Sequence, residues 1–125
     1  MSFGTVVNCM DGRTQLPVNE YIKTNHGVSY VDAITEPGVD GLIAESGDSE
    51  PVIAALRKKI EISVGLHGSS IIGVAGHHDC DGNPVDEETH VENIRASVER
   101  IKGWYPDMEV VGLWVGEDWK VEKVA

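Results

Sequence analysis

A mainly parallel α/β sheet with helices on both faces and a C-terminal antiparallel hairpin is the fold that the sequence predicts. Three observations lead there. Short β-branched apolar runs alternate with amphipathic helical stretches, the pattern of parallel strands joined through crossover helices. One run, Ser70 to Ala75, is apolar almost throughout, as a strand covered on both faces must be. The last two strand-like runs are separated only by Gly116-Glu117-Asp118, a turn of hairpin length. At 125 residues the chain has room for one folded unit, so residues 1–125 are expected to form a single domain.

Taken in order, Thr5 to Asn8 contains Val6 and Val7 and reads as a buried first strand ending at Cys9. A helix is expected from Pro17 to Gly27, because proline suits a first helical turn and glycine the position past the last one. Val28 to Ile34 is the second strand, ended by Thr35-Glu36-Pro37-Gly38, and Gly38 to Ser49 reads as a loop. Ser49, Glu50 and Pro51 form a helix start, after which Val52, Leu56, Ile60 and Val64 line one face. Ser70 to Ala75 is the third strand. Val91, Ile94, Val98 and Ile101 mark a third helix that the Gly103 to Pro106 region stops. Val110 to Val115 and Trp119 to Val124 form the hairpin.

Composition narrows the function. Ten Lys and Arg against 21 Asp and Glu leave a formal net charge of −11, which repels phosphate backbones and anionic lipid. Neither nucleic acid nor a membrane surface is an expected partner. No apolar run approaches the roughly 18 residues that suggest a membrane span. Two cysteines are too few for a disulfide framework, and Met-Ser-Phe-Gly lacks the character of a signal peptide, so a cytoplasmic location is expected.

The chemistry-bearing residues fall at strand ends, where open α/β sheets bind their ligands. Cys9 follows the first strand; His77 and Cys80, three residues apart in a tight loop, follow the third. Two thiolates and one imidazole suit zinc, and three protein ligands leave the fourth tetrahedral position for water or substrate. Beyond the same first strand, Asp11 and Arg13 can form a charge-assisted pair. Asp11 has two jobs open to it: accepting a hydrogen bond from a metal-bound water, or taking the fourth coordination position itself. The competing plain reading is that both cysteines are small buried apolar residues; a disulfide between them is disfavoured in a reducing cytosol.

Cys9-Met-Asp11-Gly-Arg13 and Gly76-His77-His-Asp-Cys80 resemble the signature of the β-class carbonic anhydrases at every signature position. The resemblance extends over nearly the whole chain, including Val111-Gly112-Leu113-Trp114-Val115 and its hairpin return. It implies a zinc enzyme, with Cys9, His77 and Cys80 as metal ligands, that hydrates carbon dioxide to bicarbonate through a metal-bound hydroxide. Asp11 and Arg13 are then the catalytic gating pair, with Arg13 holding Asp11 off the metal. The sequence departs from the family at Ile34-Thr35-Glu36-Pro37-Gly38, where Asn-Ala-Gly is usual, and at Asp81, where glycine is typical. The Cys9 to His77 interval is longer than in the family, with the excess expected between Gly38 and Ser49, and the N-terminal helical arm of the family is expected to be missing.

A small neutral substrate and a homodimer are expected, since a short sheet with exposed edges gains from pairing. Carbonyl sulfide or carbon disulfide is an alternative substrate for the same centre, and a catalytically silent zinc-binding protein is the alternative from another class. His78 and Asp79 are expected to be loop residues without a role, and His26, His67 and His90 to be surface or capping groups. Trp104, Trp114 and Trp119 are expected to serve packing, and Asp81 to Glu88 to be a solvated loop and helix start.

Overall fold

The structure, a computed structural model that describes residues 2–125, contains every strand and helix expected from the sequence and one helix more. The chain runs through β1 (Phe3–Asn8), α1 (Gln15–His26), β2 (Tyr30–Thr35), α2 (Val39–Glu45), α3 (Pro51–Glu61), β3 (Ile71–His77), α4 (Glu87–Trp104), β4 (Glu109–Val115) and β5 (Val121–Lys123). The strands lie in the order β2-β1-β3-β4-β5. The first four are parallel, and β5 returns antiparallel along β4.

Successive side chains of a strand point to opposite faces, and the core divides accordingly. Val6, Ile71, Val111 and Leu113 pack on one face beneath Val18 and Ile22 of α1. Val7, Ile72, Val74 and Val110 face the other way, toward Ile43 of α2, Leu56 and Ile60 of α3, and Val98 and Ile101 of α4. Central β3 is buried at every position, which is why its sequence shows no alternation.

Element ends have local causes. Helix α1 begins at Gln15, two residues before Pro17, and closes at Gly27, whose φ of 62° lets its N–H donate to the Lys23 carbonyl. Glu50 occupies the residue before helix α3 without a side-chain capping bond, Pro51 stands in the first turn, and the helix runs on into a π-helical turn over Ile62–Leu66. Helix α4 starts at Asp86, whose carboxylate accepts from the Thr89 N–H at 2.8 Å, with Glu87 and Glu88 in the first turn.

Helix α2 corrects the expected loop between Gly38 and Ser49. It spans only 7 residues and contains Gly41, so neither length nor period announces it. Its stability is tertiary: Val39, Asp40 and Ile43 are buried, and Arg100 of α4 donates to the Ile43 and Ser46 carbonyls.

Parallel pairing of β1 with β3 brings Val7 beside Val74, so the carboxyl ends of two strands far apart in sequence adjoin. From β1 the chain crosses to β2 on one side and later to β3 on the other. The gap between the β1 and β3 ends is therefore the point where strand order reverses, the usual ligand position in this architecture.

Close seating of α1 on the sheet depends on Gly73, where an added Cβ would stand 3.0 Å from Ile22 Cδ1. Ile22→Ala should cost about 2–5 kcal/mol of unfolding free energy, and Gly73→Ala about 1–3 kcal/mol. Because the truncated side chain leaves room for the new methyl, the double variant should lose less than the sum of the two, as read by urea denaturation. Strict additivity would show that the two residues are not in opposition.

Candidate metal centre

The loop after β1 is tied down by its own neighbours. Asn8, wholly buried, accepts from the Cys9 N–H at 2.8 Å and donates to the Thr14 carbonyl. Gln15 donates to the carbonyls of Cys9 and Asp11 at 2.7 and 3.0 Å, and the Thr14 hydroxyl donates to Asp11 O. Cys9 thereby points inward while Asp11 and Arg13 stand at the rim.

On the neighbouring strand, His77 closes β3 and Asp79 turns the chain with a φ of 56°, so that Cys80 comes back to face Cys9. The two sulfurs are 4.0 Å apart, and the ligand atoms of Cys9, His77 and Cys80 all lie within 4.8 Å of one another. All three residues are buried. The His77 Nδ1–H donates to the His78 carbonyl at 2.7 Å, which in the neutral ring leaves the Nε2 lone pair free. That Nε2 is buried and has no hydrogen-bond partner among the described residues. A buried lone pair between two sulfurs is the donor set of a metal site, and these three residues could hold a metal ion.

Electrostatics point the same way. Burial works against the Cys9 thiolate, but the His77 ring, the amides of Gly38 and Asp11, and the His77 charge outweigh it and hold the thiol below its ordinary value. Cys80 moves in the opposite direction, raised by burial and by the charge of Cys9. Burial would lower His77, yet Cys9, the His78 carbonyl and Asp11 leave it above its usual value. The cluster is short of positive charge.

A third loop completes the wall. The N–H of Gly38 donates to Cys9 Sγ at 3.4 Å, and Gly38 sits at a φ of 56°. It packs backbone against backbone on the Cys80 loop: a Cβ at Gly82 would meet Gly38 N at 2.6 Å. Glycine at both positions is what lets the loop after β2 approach the cysteines.

Asp11 and Arg13 meet in a two-pronged contact, Nε to Oδ1 at 3.1 Å and Nη2 to Oδ2 at 2.7 Å, with the Arg13 N–H adding a bond to Oδ1 at 2.9 Å. Asp11 Oδ2 lies 4.0 Å from His77 Nε2. The structure thus brings all five expected residues, Cys9, Asp11, Arg13, His77 and Cys80, to one place.

Other expectations need correction. His90 is neither a surface nor a capping group: it is buried in α4, and its ring is 2.6 Å from Asp40 Oδ2. Asn83 donates to both Asp40 and Asn93, so this interior polar group fastens the Cys80 loop to α2 and α4. The available signal was position, since His90, Asn93 and Ser97 share the buried face with Ile94 and Ile101, while Val91 is only half-buried. Asp79 is not a role-free loop residue, for it pairs with Arg13 at 3.2 Å. Trp119 does more than pack, because the Arg13 guanidinium lies 4.5 Å from its ring centroid. Nothing in the sequence pattern announces these last two.

An open, mostly parallel sheet with a Cys-His-Cys group and an Asp–Arg pair at its switch point defines a class, the α/β proteins with a potential metal site at the strand ends. The family model described as "Putative carbonic anhydrase" matches residues 1–125, and the chain belongs to that family. No curated protein matches the sequence. The fold is that of the β-carbonic anhydrases. The structure is similar to carbonic anhydrase from Streptococcus mutans (TM-score 0.66, 18% identity, 97% of this chain and 80% of that one). It is also similar to carbonic anhydrase from Glaciozyma antarctica (0.64, 20%, 97% and 80%). A tetrameric β-carbonic anhydrase from Sordaria macrospora gives 0.60 at 13% identity, over 98% and 81%. At these identities the likeness is one of fold.

The Arg13 hydrogen bonds hold the Asp11 carboxyl at about 2 against the cost of its burial. In Arg13→Ala it should titrate closer to the ordinary value near 3.9, as followed by ¹³C NMR of the carboxyl carbon. Since the depressed value favours the folded form, that stabilisation is full above about pH 4 and lost as the pH falls toward 2. An unchanged midpoint in the variant would refute Arg13 as the cause.

Proposed function

We propose that this chain is a zinc-dependent carbonic anhydrase that hydrates carbon dioxide to bicarbonate and a proton. In this reading residues 1–125 act as one domain, Cys9, His77 and Cys80 hold the zinc, and Asp11 and Arg13 serve the reaction. The observation that carries it is the convergence of the three ligand atoms, within 4.8 Å, beside a carboxylate 4.0 Å from His77 Nε2. Two sulfurs each about 2.3 Å from one tetrahedral ion stand about 3.8 Å apart, and the Cys9 and Cys80 sulfurs are 4.0 Å apart. When bound, zinc supplies a Lewis acid able to ionise water near neutral pH.

The residues around it divide the remaining work. Asp11 stays ionised and is acceptor-only. Both lone pairs of its Oδ1 are used by Arg13, whereas Oδ2 takes one bond from Arg13 and keeps one free. Oδ2 is also the oxygen nearest His77 Nε2. The free lone pair of Oδ2 could accept an O–H from a water held at the centre and so orient it. A cleft of about 240 Å³ lined by Cys9, Met10, Asp11, Pro37, Asp81 and Gly82 adjoins this position. Its Met10 and Pro37 walls suit a small neutral molecule, which needs no charged anchor.

A homodimer in a reducing, cytoplasmic setting completes the proposal. Met10 and Leu16 are 63% and 72% exposed on the loop and helix start flanking the centre, an apolar surface that a second copy would cover. No helix among the described residues is long and apolar enough to cross a membrane.

Purified protein should carry close to one zinc per chain and accelerate carbon dioxide hydration in stopped-flow assays. Asp11→Asn should retain zinc and lose on the order of 10²-fold in kcat/KM. Cys80→Ser should lose zinc and melting temperature together, because a site that exists only in the folded chain couples metal binding to folding. Protein without zinc would end the reading; zinc with no hydration would leave a silent metal-binding protein. In sedimentation the protein should run at twice the 13.5 kDa chain mass, and Leu16→Glu should shift it toward monomer.

A further inference from the structure

Arg13 is gripped on the side away from Asp11 as well. Its Nη1 donates to Asp79 Oδ2 at 3.2 Å and its Nη2 to the Asp79 carbonyl at 3.1 Å, while the Trp119 ring covers its face at 4.5 Å. Asp79 lies between two of the ligand residues, and Trp119 lies in the turn joining β4 to β5. Arg13 therefore ties together the segments that follow β1, β3 and β4.

The backbone marks the same two residues. Among the described residues, the non-glycine positions of positive φ are Asp79 at 56° and Trp119 at 60°. Asp tolerates that conformation, but for a bulky residue it is strained. The turn at Trp119, closed by its N–H on the Gly116 carbonyl at 2.9 Å, would be served with less strain by glycine. Strain of this kind persists where the surroundings over-determine it, and the feature these two positions share is Arg13. Asp11, in turn, receives its carboxylate hydrogen bonds only from Arg13 among the described residues. Its orientation depends on where that guanidinium stands, and a half-exposed arginine side chain wanders unless something holds it.

We infer that Asp79 and Trp119 are positioning residues that clamp Arg13 and so keep the Asp11 carboxylate turned away from the Cys9, His77 and Cys80 side chains. The inference rests on the metal-centre reading above and adds to it the device that keeps the centre open to a small ligand. Releasing either side of the clamp frees Arg13, and Asp11, whose Oδ2 already stands 4.0 Å from His77 Nε2, can then turn inward to compete for the metal.

The test uses cobalt(II)-loaded protein and thiocyanate, an anion that enters an open coordination position and shifts the visible spectrum. Asp79→Asn keeps the backbone tolerance and removes the charge; Trp119→Gly suits the turn and removes the ring, together with its packing on the core and beside His77. Each should weaken thiocyanate binding by about 10- to 100-fold, the range typical of groups that orient a metal's surroundings. Adding Asp11→Ala to Asp79→Asn should restore binding, which a merely structural role for Asp79 would not allow. In ¹⁵N NMR of the protein as purified, the Arg13 Nε–H signal should be present in the parent and broadened or lost in both variants. Parent-like thiocyanate binding in both variants, or no rescue by Asp11→Ala, overturns the inference while leaving the zinc reading intact. A parent chain that takes up no cobalt overturns both, whatever the arginine signal does.

Discussion

Two sulfurs held 4.0 Å apart inside a protein set the terms for everything around them. Were both ionised with nothing between them, they would repel by on the order of 4 kcal/mol at an effective dielectric constant of 20. The fold nonetheless presses them together from loops after different strands, and it aims a buried imidazole lone pair at the same spot. Such an arrangement suits a cation that two sulfurs and an imidazole could share. The opposed shifts of Cys9, lowered, and Cys80, raised in part by the charge of Cys9, express that mutual repulsion.

Parallel pairing is what makes the convergence possible. Residues at the carboxyl ends of adjacent parallel strands are neighbours however much chain lies between them, so Cys9 and His77 meet because β1 and β3 pair, with no need of a dedicated linker. The price is an open end of the sheet that must be walled. Here the wall is backbone: Gly38 and Gly82 approach closely enough that neither tolerates a side chain, and the Gly38 N–H doubles as a donor to Cys9. The stretch Ile34 to Gly38, which departs from the usual Asn-Ala-Gly of the family, delivers an amide to the Cys9 sulfur.

The strands, α1, α3, α4 and the meeting of Cys9, Asp11, Arg13, His77 and Cys80 at the strand ends were legible because each rests on a local pattern: β-branched runs, a Pro-to-Gly span, a spacing of three between His77 and Cys80. What escaped was tertiary in origin. Helix α2 is too short to show a period and is held by Arg100 from 54 to 57 residues away. His90 looked like a surface histidine because its partner, Asp40, lies 50 residues earlier in a stretch read as loop. Asp79 and Trp119 act through an arginine that neither adjoins in sequence, and strain at a tryptophan has no counterpart in the letters.

Charge distribution around the mouth follows from the proposed reaction. A neutral substrate is indifferent to field, whereas an anionic product is not. Asp11 and Asp81 line the cleft, and Arg13 beside it is already bonded to two carboxylates, those of Asp11 and Asp79. Among the described residues no cationic side chain lines the cleft to hold an anion there, and the chain as a whole carries −11. Under that reading the acidity unsuited to nucleic acid or lipid becomes useful, since it leaves entry of a small neutral molecule unaffected and favours departure of bicarbonate. It also explains why Asp11 needs so firm a partner: in so negative a setting an unheld carboxylate would find the metal the most attractive neighbour within reach.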